Sequence, residues 1–185
     1  MRAFVDETAF AHLNGLIEGR MVAAHAPVVF GPDGSVRFHL ARGNDLTAMP
    51  DGASVLAHVV GTHFYVSPDW YQTEEQVPTW NYRLVEIEGV ARRLDTRELR
   101  DQIDRLSAVH ETHLLPKPVW TSAKMDPRRL DAMMRGIVGF AIERPTLRGT
   151  IKMGQTKSAA ERANVMDALR ARGDDRAADA MAAAR

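Results

Sequence analysis

The sequence predicts a mainly β fold, an antiparallel barrel that carries helices on its periphery. About five or six strand-like segments follow one another, mostly through short links, which favours antiparallel pairing and closure into a barrel. The segment from Ser35 to Ala41 alternates apolar and polar residues with the two-residue period of a half-buried strand. Two capping boxes, which begin at Asp95 and at Ser158, predict helices outside these strands.

The N-terminal segment is predicted to be helical. Asp6 can cap a helix there, and three apolar residues follow at helical spacing: Phe10, Leu13 and Ile17. The residues Glu18-Gly19-Arg20 would end this helix, because glycine commonly follows the last helical turn.

Strands are predicted from Met21 onward. Met21 to Phe30 is rich in alanine and valine, and Gly31-Pro32-Asp33-Gly34 then predicts a hairpin turn, since proline fixes one dihedral and glycine supplies a positive one. Asn44 to Met49 is predicted to be a short helix or turn. Ser54 to Val60 has the apolar composition of a central strand, and this strand can continue past Gly61 to Val66.

The second half of the chain is predicted to alternate strands with surface helices. A loop from Ser67 to Val77 precedes a strand, and the final strand follows two helices. The predicted strands are Asn81 to Leu94 and Gly139 to Glu143, with a continuation from Leu147 to Met153 past Pro145. The predicted helices follow Asp95, Asp126-Pro127 and Ser158, and the tail from Ala177 to Ala184 is either a weak last helix or frayed.

Length and composition favour one domain of an ordinary globular protein. The chain has 185 residues, so we expect a barrel with surface helices over residues 1–157 and a helical extension of the same domain over residues 158–185. No apolar run is long enough for a membrane span, and the acidic N-terminus does not resemble a secretory signal, so we expect a cytoplasmic protein. Zero cysteines exclude disulfides and thiolate chemistry.

The charge balance gives little support to DNA binding. Lys plus Arg and Asp plus Glu number 24 each, so the formal net charge is zero. Nonspecific affinity for DNA comes from cations that displace counterions along the phosphate backbone. A local basic face toward the C-terminus, which includes Arg162 and Arg170, leaves DNA possible, although acidic residues interleaved with these cations also fit a solvated helix face.

Aromatic residues concentrate between Gly61 and Tyr82. Six of the twelve aromatic side chains of the chain lie in these 22 positions. Flat rings interleaved with polar groups suit a planar, partly polar ligand, because the rings supply contact area and the polar groups fix orientation. The alternative interpretation is an aromatic core under a long loop.

The same stretch resembles a known family. Ser67-Pro68-Asp69-Trp70-Tyr71 and Val77-Pro78-Thr79-Trp80-Asn81-Tyr82 resemble the paired signature of the PaiB-type FMN-binding negative transcriptional regulators. Further matches follow in the same order, at His25-Ala26-Pro27, at His39-Leu40-Ala41-Arg42-Gly43-Asn44 and at Lys152-Met153-Gly154-Gln155. The resemblance implies an antiparallel split β-barrel of the FMN-binding type, FMN as cofactor, and a homodimer with the cofactor pockets at its interface.

The resemblance also implies a set of cofactor-binding residues. Arg42 and Asn44 would hold the FMN phosphate, which a guanidinium fork matches well, although a solvated arginine in a turn is the alternative. The remaining expected contacts are His25, Pro27, Thr62, His63, Trp80, Asn81, Lys152 and Gln155. Trp80 would cover the flavin ring, and the Asn81 amide would pair with its polar edge.

Departures from the family pattern fall near the C-terminus. Gly154 stands where serine is usual, Thr156 where asparagine is usual and Thr150 where a lysine is usual. These changes put the expected contacts of Lys152 and Gln155 with the cofactor in question.

Function within this frame has three candidates. The first is a PaiB-type regulator, the second a flavin-dependent oxidoreductase, and the third a barrel that has lost its flavin and acts as an interaction module. No nucleophile elbow, glycine-rich dinucleotide loop or carboxylate pair identifies catalytic residues, so enzymatic activity stays undecided. His25, His39 and His63 come from separate strands without ligand-like spacing, so we expect no metal site.

Overall fold

A computed structural model describes residues 1–184 of the chain. Contacts between residues divide it into two compact units. The barrel unit comprises residues 1–59 and 86–148, and the aromatic unit comprises residues 60–85 and the chain from 149 onward. The predicted boundary at residue 157 stays a prediction.

Six strands form the sheet: β1 (Phe10–Ile17), β2 (Arg20–Phe30), β3 (Val36–Ala41), β4 (Ser54–Val66), β5 (Thr79–Arg93) and β6 (Ile137–Lys152). They are hydrogen-bonded in the order β1-β2-β3-β6-β5-β4, and this order closes into a barrel. The pairs β1/β2, β1/β4, β2/β3 and β3/β6 are antiparallel. The predicted antiparallel fold with peripheral helices is therefore confirmed.

The prediction of a helix over Phe10 to Ile17 is wrong. The first helix, α1, spans Arg2–Thr8 and ends at Ala9, which has a left-handed φ of 50°. Beyond it Ala11 and Leu13 are buried whereas Phe10 is exposed, so the strand period applies even though the apolar residues also match a helical spacing. Glu18 and the glycine after it have positive φ and form the β1–β2 turn instead of a helix end.

Three of the other helices begin after their predicted capping residues, and the fourth covers the alanine-rich tail. They are α2 (Thr96–Thr112), α3 (Pro127–Met134), α4 (Ala159–Ala171) and α5 (Asp175–Ala183). Both capping boxes are complete. The side chains of Asp95 and Ser158 accept a hydrogen bond from the backbone N–H of Glu98 and Glu161, whose carboxylates in turn accept one from the backbone N–H of Asp95 and Ser158. The alanine-rich tail is thus a helix. None of the described helices has the length and apolar character needed to span a membrane.

The interior of the barrel unit contains a pair of stacked aromatic rings and a buried arginine. The rings of Phe38 and Phe140 stack with centroids 5.5 Å apart. Arg37 is buried and forms ion pairs with Asp33 in the β2–β3 turn and with Asp101 on α2, at 3.4 and 3.3 Å. Because a buried guanidinium needs such partners, these pairs tie the hairpin turn to α2.

A histidine on β3 faces α2 and makes stability depend on pH. His39 Nδ1 lies 3.0 Å from Oε1 of Gln102. Burial lowers the pKa of His39, and the hydrogen bond with Gln102 opposes part of that shift. The folded state therefore binds this proton more weakly than the unfolded state, so stability should fall as the pH drops below about 6.5, the ordinary value for histidine.

We expect His39→Asn to remove this part of the pH dependence. Urea denaturation at successive pH values would show a smaller loss of unfolding free energy on acidification for the variant than for the wild type. His110→Asn, at an exposed position of α2, is the control and should keep the wild-type slope. Equal slopes for wild type and His39→Asn would contradict the prediction.

The aromatic unit has its own core beneath α4 and α5. Phe64 and Tyr71 are buried together with Met153, Leu169 and Met181. Lys157 Nζ lies 4.7 Å from the centroid of the Tyr71 ring, and Tyr71 O accepts a hydrogen bond from the Asn164 side chain. The Trp70-Tyr71 motif therefore anchors the helices and leaves little of Tyr71 for a ligand.

Candidate functional site

Three rings on β4 and β5 form a surface that we call the aromatic platform: His63, Tyr65 and Trp80. The rings of His63 and Trp80 are nearly parallel, at 25°, with centroids 6.1 Å apart, and the Tyr65 ring lies 6.2 Å from Trp80. Trp80 is 49% exposed and Tyr65 45% exposed. The platform therefore offers accessible ring faces to a planar ligand.

The strand period decides which side chains share the platform. Along β4, His63 and Tyr65 are exposed and alternate with the buried Phe64. Along β5, Asn81 follows Trp80 and is buried at 1% exposure, so the two residues lie on opposite faces of the strand. Asn81 Nδ2 has no hydrogen-bond partner within residues 1–184. This donor is available, but not on the face that carries Trp80.

Lys152 is hydrogen-bonded to the start of β5, through a residue that the strand period places on the face opposite Trp80. Its Nζ donates a hydrogen bond of 2.7 Å to Oγ1 of Thr79, the residue before Trp80. Gln155 is used differently, because its Oε1 accepts from Met153 N and its Nε2 donates to Ile151 O. The amide of Gln155 therefore closes the turn after β6.

Gly154 departs from the family pattern for a local reason. It has a φ of 70°, and a Cβ there would lie 3.2 Å from Cε of Met181. A left-handed backbone favours glycine, so serine at this position would add strain to the turn. The departure therefore matches this chain's own turn and helix packing.

The barrel unit contains a cleft of about 510 Å³ beside Arg42. Its lining includes Arg42, Arg93 and Arg135, together with Asp95 and Asp131. The side chain of Arg42 donates through Nε to Arg135 O at 2.8 Å and through Nη2 to Ile137 O at 3.3 Å. These bonds hold the guanidinium at the wall of a polar cleft, where an anion could reach it.

Asn44 and the His25 segment have different surroundings. Asn44 caps the 3₁₀ turn Asp45–Ala48, because its Oδ1 accepts from Leu46 N at 2.9 Å. His25 is exposed on β2, where its ring lies 4.9 Å from that of His12, and Pro27 is opposite Phe10 on β1. Asn44 thus shapes the turn, whereas His25 and Pro27 lie on β2, which pairs with β1 and β3.

The structure groups the predicted site residues by unit. The aromatic unit contains Thr62, His63, Trp80, Asn81, Lys152 and Gln155, and the barrel unit contains His25, Pro27, Arg42 and Asn44. Sequence reasoning missed Tyr65, Arg93 and Arg135. Tyr65 could have been found, since it lies two residues after His63 on the same strand. Within residues 1–184, no group of three or more histidine, aspartate or glutamate side chains is arranged to hold a metal ion.

A family model connects this geometry to a cofactor. The model described as "Putative FMN-binding domain" matches residues 1–144. The chain belongs to this FMN-binding family. The predicted family is confirmed, and FMN is the cofactor of this FMN-binding protein.

Curated relatives agree with the assignment. The FMN-binding protein is 30% identical over 170 residues to "Protease synthase and sporulation protein PAI 2" of Bacillus subtilis, a match that covers 90% of this chain and 81% of the relative. It is 26% identical over 175 residues to an uncharacterized protein of Emericella nidulans, with coverage of 88% and 69%. The first relative supports a PaiB-like protein.

Solved structures share the fold. An FAD- and heme-binding protein from Mycobacterium smegmatis superposes with a TM-score of 0.56 at 17% identity, covering 85% of this chain and 72% of that one. The flavocytochrome Anf3 from Azotobacter vinelandii gives 0.54 at 15% identity, with coverage of 87% and 70%. At these identities the likeness concerns the fold alone.

The residues of the aromatic platform fit a flavin. An isoalloxazine ring is planar with a polar edge, and the platform pairs an exposed indole with an imidazole and a phenol. The FMN-binding protein therefore has suitable groups for the ring of its cofactor.

Proposed function

We propose that this protein is a PaiB-type negative transcriptional regulator that binds the FMN ring on the aromatic platform of a flavin-type split barrel. The exposed Trp80 ring, stacked on His63, is the observation that carries this proposal. Trp80 and Tyr65 would orient the ring, and Lys152 remains a predicted contact. The flavin itself supplies electron-transfer chemistry when bound, so the chain needs to contribute only binding, orientation and charge.

Arg42, in the barrel unit, remains the predicted contact for a phosphate group. Its guanidinium is held by two backbone carbonyls at the wall of a cleft that also presents Arg93 and Arg135. A planar guanidinium fixed in this way matches phosphate oxygens with little further ordering. Asn81 and Thr62 remain predicted contacts of the cofactor, and Gln155 is proposed to act through the turn it closes.

The visible absorbance spectrum of the purified protein tests the cofactor proposal first. After addition of FMN and removal of the excess, we expect a retained two-banded flavin spectrum. Trp80→Ala should lower FMN affinity at least tenfold, about 1.4 kcal/mol, because the ring loses its largest contact. Affinity would be measured by quenching of flavin fluorescence.

Trp120→Ala is the matched control for that experiment. Trp120 lies between α2 and α3 in the barrel unit, so its removal should leave FMN affinity unchanged. Equal weakening by both substitutions would argue against the platform. Affinity unchanged in Trp80→Ala would contradict it directly.

The exposure of Trp80 also favours a second candidate, a flavin-dependent oxidoreductase. An accessible platform leaves space for a second reactant near the cofactor. An oxidoreductase should be reduced rapidly by NADH or NADPH, with loss of the flavin absorbance, whereas a regulator should react slowly. Stopped-flow measurement of that bleaching separates the two functions.

We also propose a homodimer that uses the tip of the β1–β2 hairpin. Leu16 and Met21 are opposite each other there and are 55% and 66% exposed. Burial of two large apolar side chains against a second copy would remove them from water. Light scattering after size exclusion should give twice the chain mass, and Met21→Glu should shift the population toward monomer. A monomer in the wild type would contradict this proposal.

A cytoplasmic location stays a prediction.

Direct binding to DNA has less support. Arg170 pairs with Asp167 and Asp179, and Arg148 pairs with Glu86 and Glu88. Cations that already have acidic partners release few counterions from a phosphate backbone. We therefore propose that regulation acts mainly through the flavin and through protein partners.

A further inference from the structure

Strand register aligns three histidines that are far apart in the sequence. His12 on β1 is directly opposite His25 on β2 and also directly opposite His58 on β4. Residues directly opposite in antiparallel strands project from the same face, with Cβ atoms about 5 Å apart. The barrel unit therefore carries a row of imidazoles across three neighbouring strands.

Two members of this row form a close pair with free nitrogens. The rings of His12 and His25 have centroids 4.9 Å apart and an interplanar angle of 86°. Both side chains are exposed, and neither ring has a hydrogen-bond partner within the described part of the chain. The Phe10 ring lies edge-on to His12 at 6.4 Å and limits its movement on that side. The paired strands thus hold two imidazole rings next to each other, each with nitrogen atoms available to a ligand.

The third histidine differs from the pair because both of its nitrogens are engaged. His58 Nδ1 lies 3.4 Å from Nδ2 of Asn14, and His58 Nε2 lies 3.8 Å from Oε1 of Glu86. Asn14 can only donate through Nδ2, so Nδ1 accepts and Nε2 carries the hydrogen that faces the carboxylate. His58 therefore has no lone pair available for a cation.

We propose that His12 and His25 chelate a divalent late first-row transition metal ion on the outer face of the barrel unit. Neutral imidazole is a suitable ligand for nickel, copper and zinc ions. Among these three ions, copper binds nitrogen ligands most tightly. No third side chain completes the set within residues 1–184, so water fills the remaining positions. The pair lies four residues along the strands from Leu16 and Met21, about 13 Å at the rise of a β-strand.

The proposal is tested by titrating the full, untagged, FMN-loaded chain with NiCl2 in an isothermal calorimeter. We expect one saturable site, and His12→Ala and His25→Ala should each weaken it at least tenfold, because each removes one of two ligands. His58→Ala is the matched control on the same face and should leave nickel affinity unchanged. MgCl2 should give no binding heat, since magnesium prefers oxygen ligands.

Two results would overturn the proposal. The first is the absence of saturable nickel binding to the wild type, and the second is equal weakening by His12→Ala and His58→Ala. Far-UV circular dichroism of each variant confirms folding, and His12→Gln provides a second substitution that keeps a polar side chain on the strand. Because the readout is the heat of metal binding, the result does not depend on the proposed regulatory function.

Discussion

Replacing Arg162 with alanine is expected to destabilise the protein by about 3 kcal/mol, because three charge-assisted hydrogen bonds are lost together. Arg162 Nη1 donates to Met153 O at 2.6 Å, and Nη2 donates to the carbonyl oxygens of Met181 and Ala184. The last two oxygens belong to the end of α5, where helix carbonyls lack partners within the helix. One side chain on α4 thus holds the end of β6 and the end of α5.

Urea denaturation followed by circular dichroism would measure this loss, and limited proteolysis should cleave the variant first near α5. Arg176→Ala, at an exposed position on α5, is the control for removal of an arginine and should remain within about 0.5 kcal/mol of the wild type. Wild-type stability of Arg162→Ala would show that the carbonyls find other partners. Because Arg162 stabilises the fold, weaker DNA binding by this variant would reflect a loss of structure and would not show that Arg162 contacts DNA.

Gly89→Ala is expected to destabilise the barrel unit by about 3 kcal/mol through overpacking. A Cβ at Gly89 would lie 2.6 Å from Cγ2 of Ile142 and 2.9 Å from the backbone oxygen of Glu143. Both neighbours belong to β6, which lies beside β5 in the sheet. A backbone oxygen cannot rotate away as a flexible side chain can, so the two strands would have to separate locally.

Gly43→Ala is the matched control for that substitution. Gly43 has no heavy atom within 4 Å of a built Cβ, so the added methyl group meets open space. Its unfolding free energy should equal or slightly exceed that of the wild type, because alanine reduces the freedom of the unfolded chain. Thermal unfolding of the two variants side by side would give the difference. A Gly89→Ala midpoint equal to that of Gly43→Ala would contradict the packing argument.

The platform and the histidine row show how the strand period divides this protein's polar chemistry. Exposed side chains on alternate positions of β4 and β5 form the aromatic platform, whereas Asn81 and the aromatic core residues lie on the other face. On β1 and β2 the same period exposes His12 and His25 together. The aromatic platform therefore depends on which residues share a strand face, and the motif as a continuous stretch does not define it.

Local features of the sequence determined most of the elements and the family. Asp95 and Ser158 predicted their helices because capping depends on a residue and on the backbone three positions later. The alternation from Ser35 to Ala41 predicted β3, and ordered motifs from His25 to Gln155 predicted the FMN-binding family that the family model confirms. These signals involve residues close together in the sequence, so they can be recognised before the tertiary structure is known.

Only the tertiary structure decided the rest. Phe10 to Ile17 fits a helical spacing, yet it is a strand because pairing with β2 and β4 satisfies its backbone and buries Ala11 and Leu13. Pairing between distant segments likewise placed His12 opposite His25. Their spacing along the sequence does not predict this side-chain contact. The side chains of Gln155 and Arg162 are of types that bind FMN or DNA. In the folded chain their hydrogen bonds to backbone atoms stabilise the structure instead. Register and partner choice depend on which segments meet, and that is determined by the burial of the whole chain.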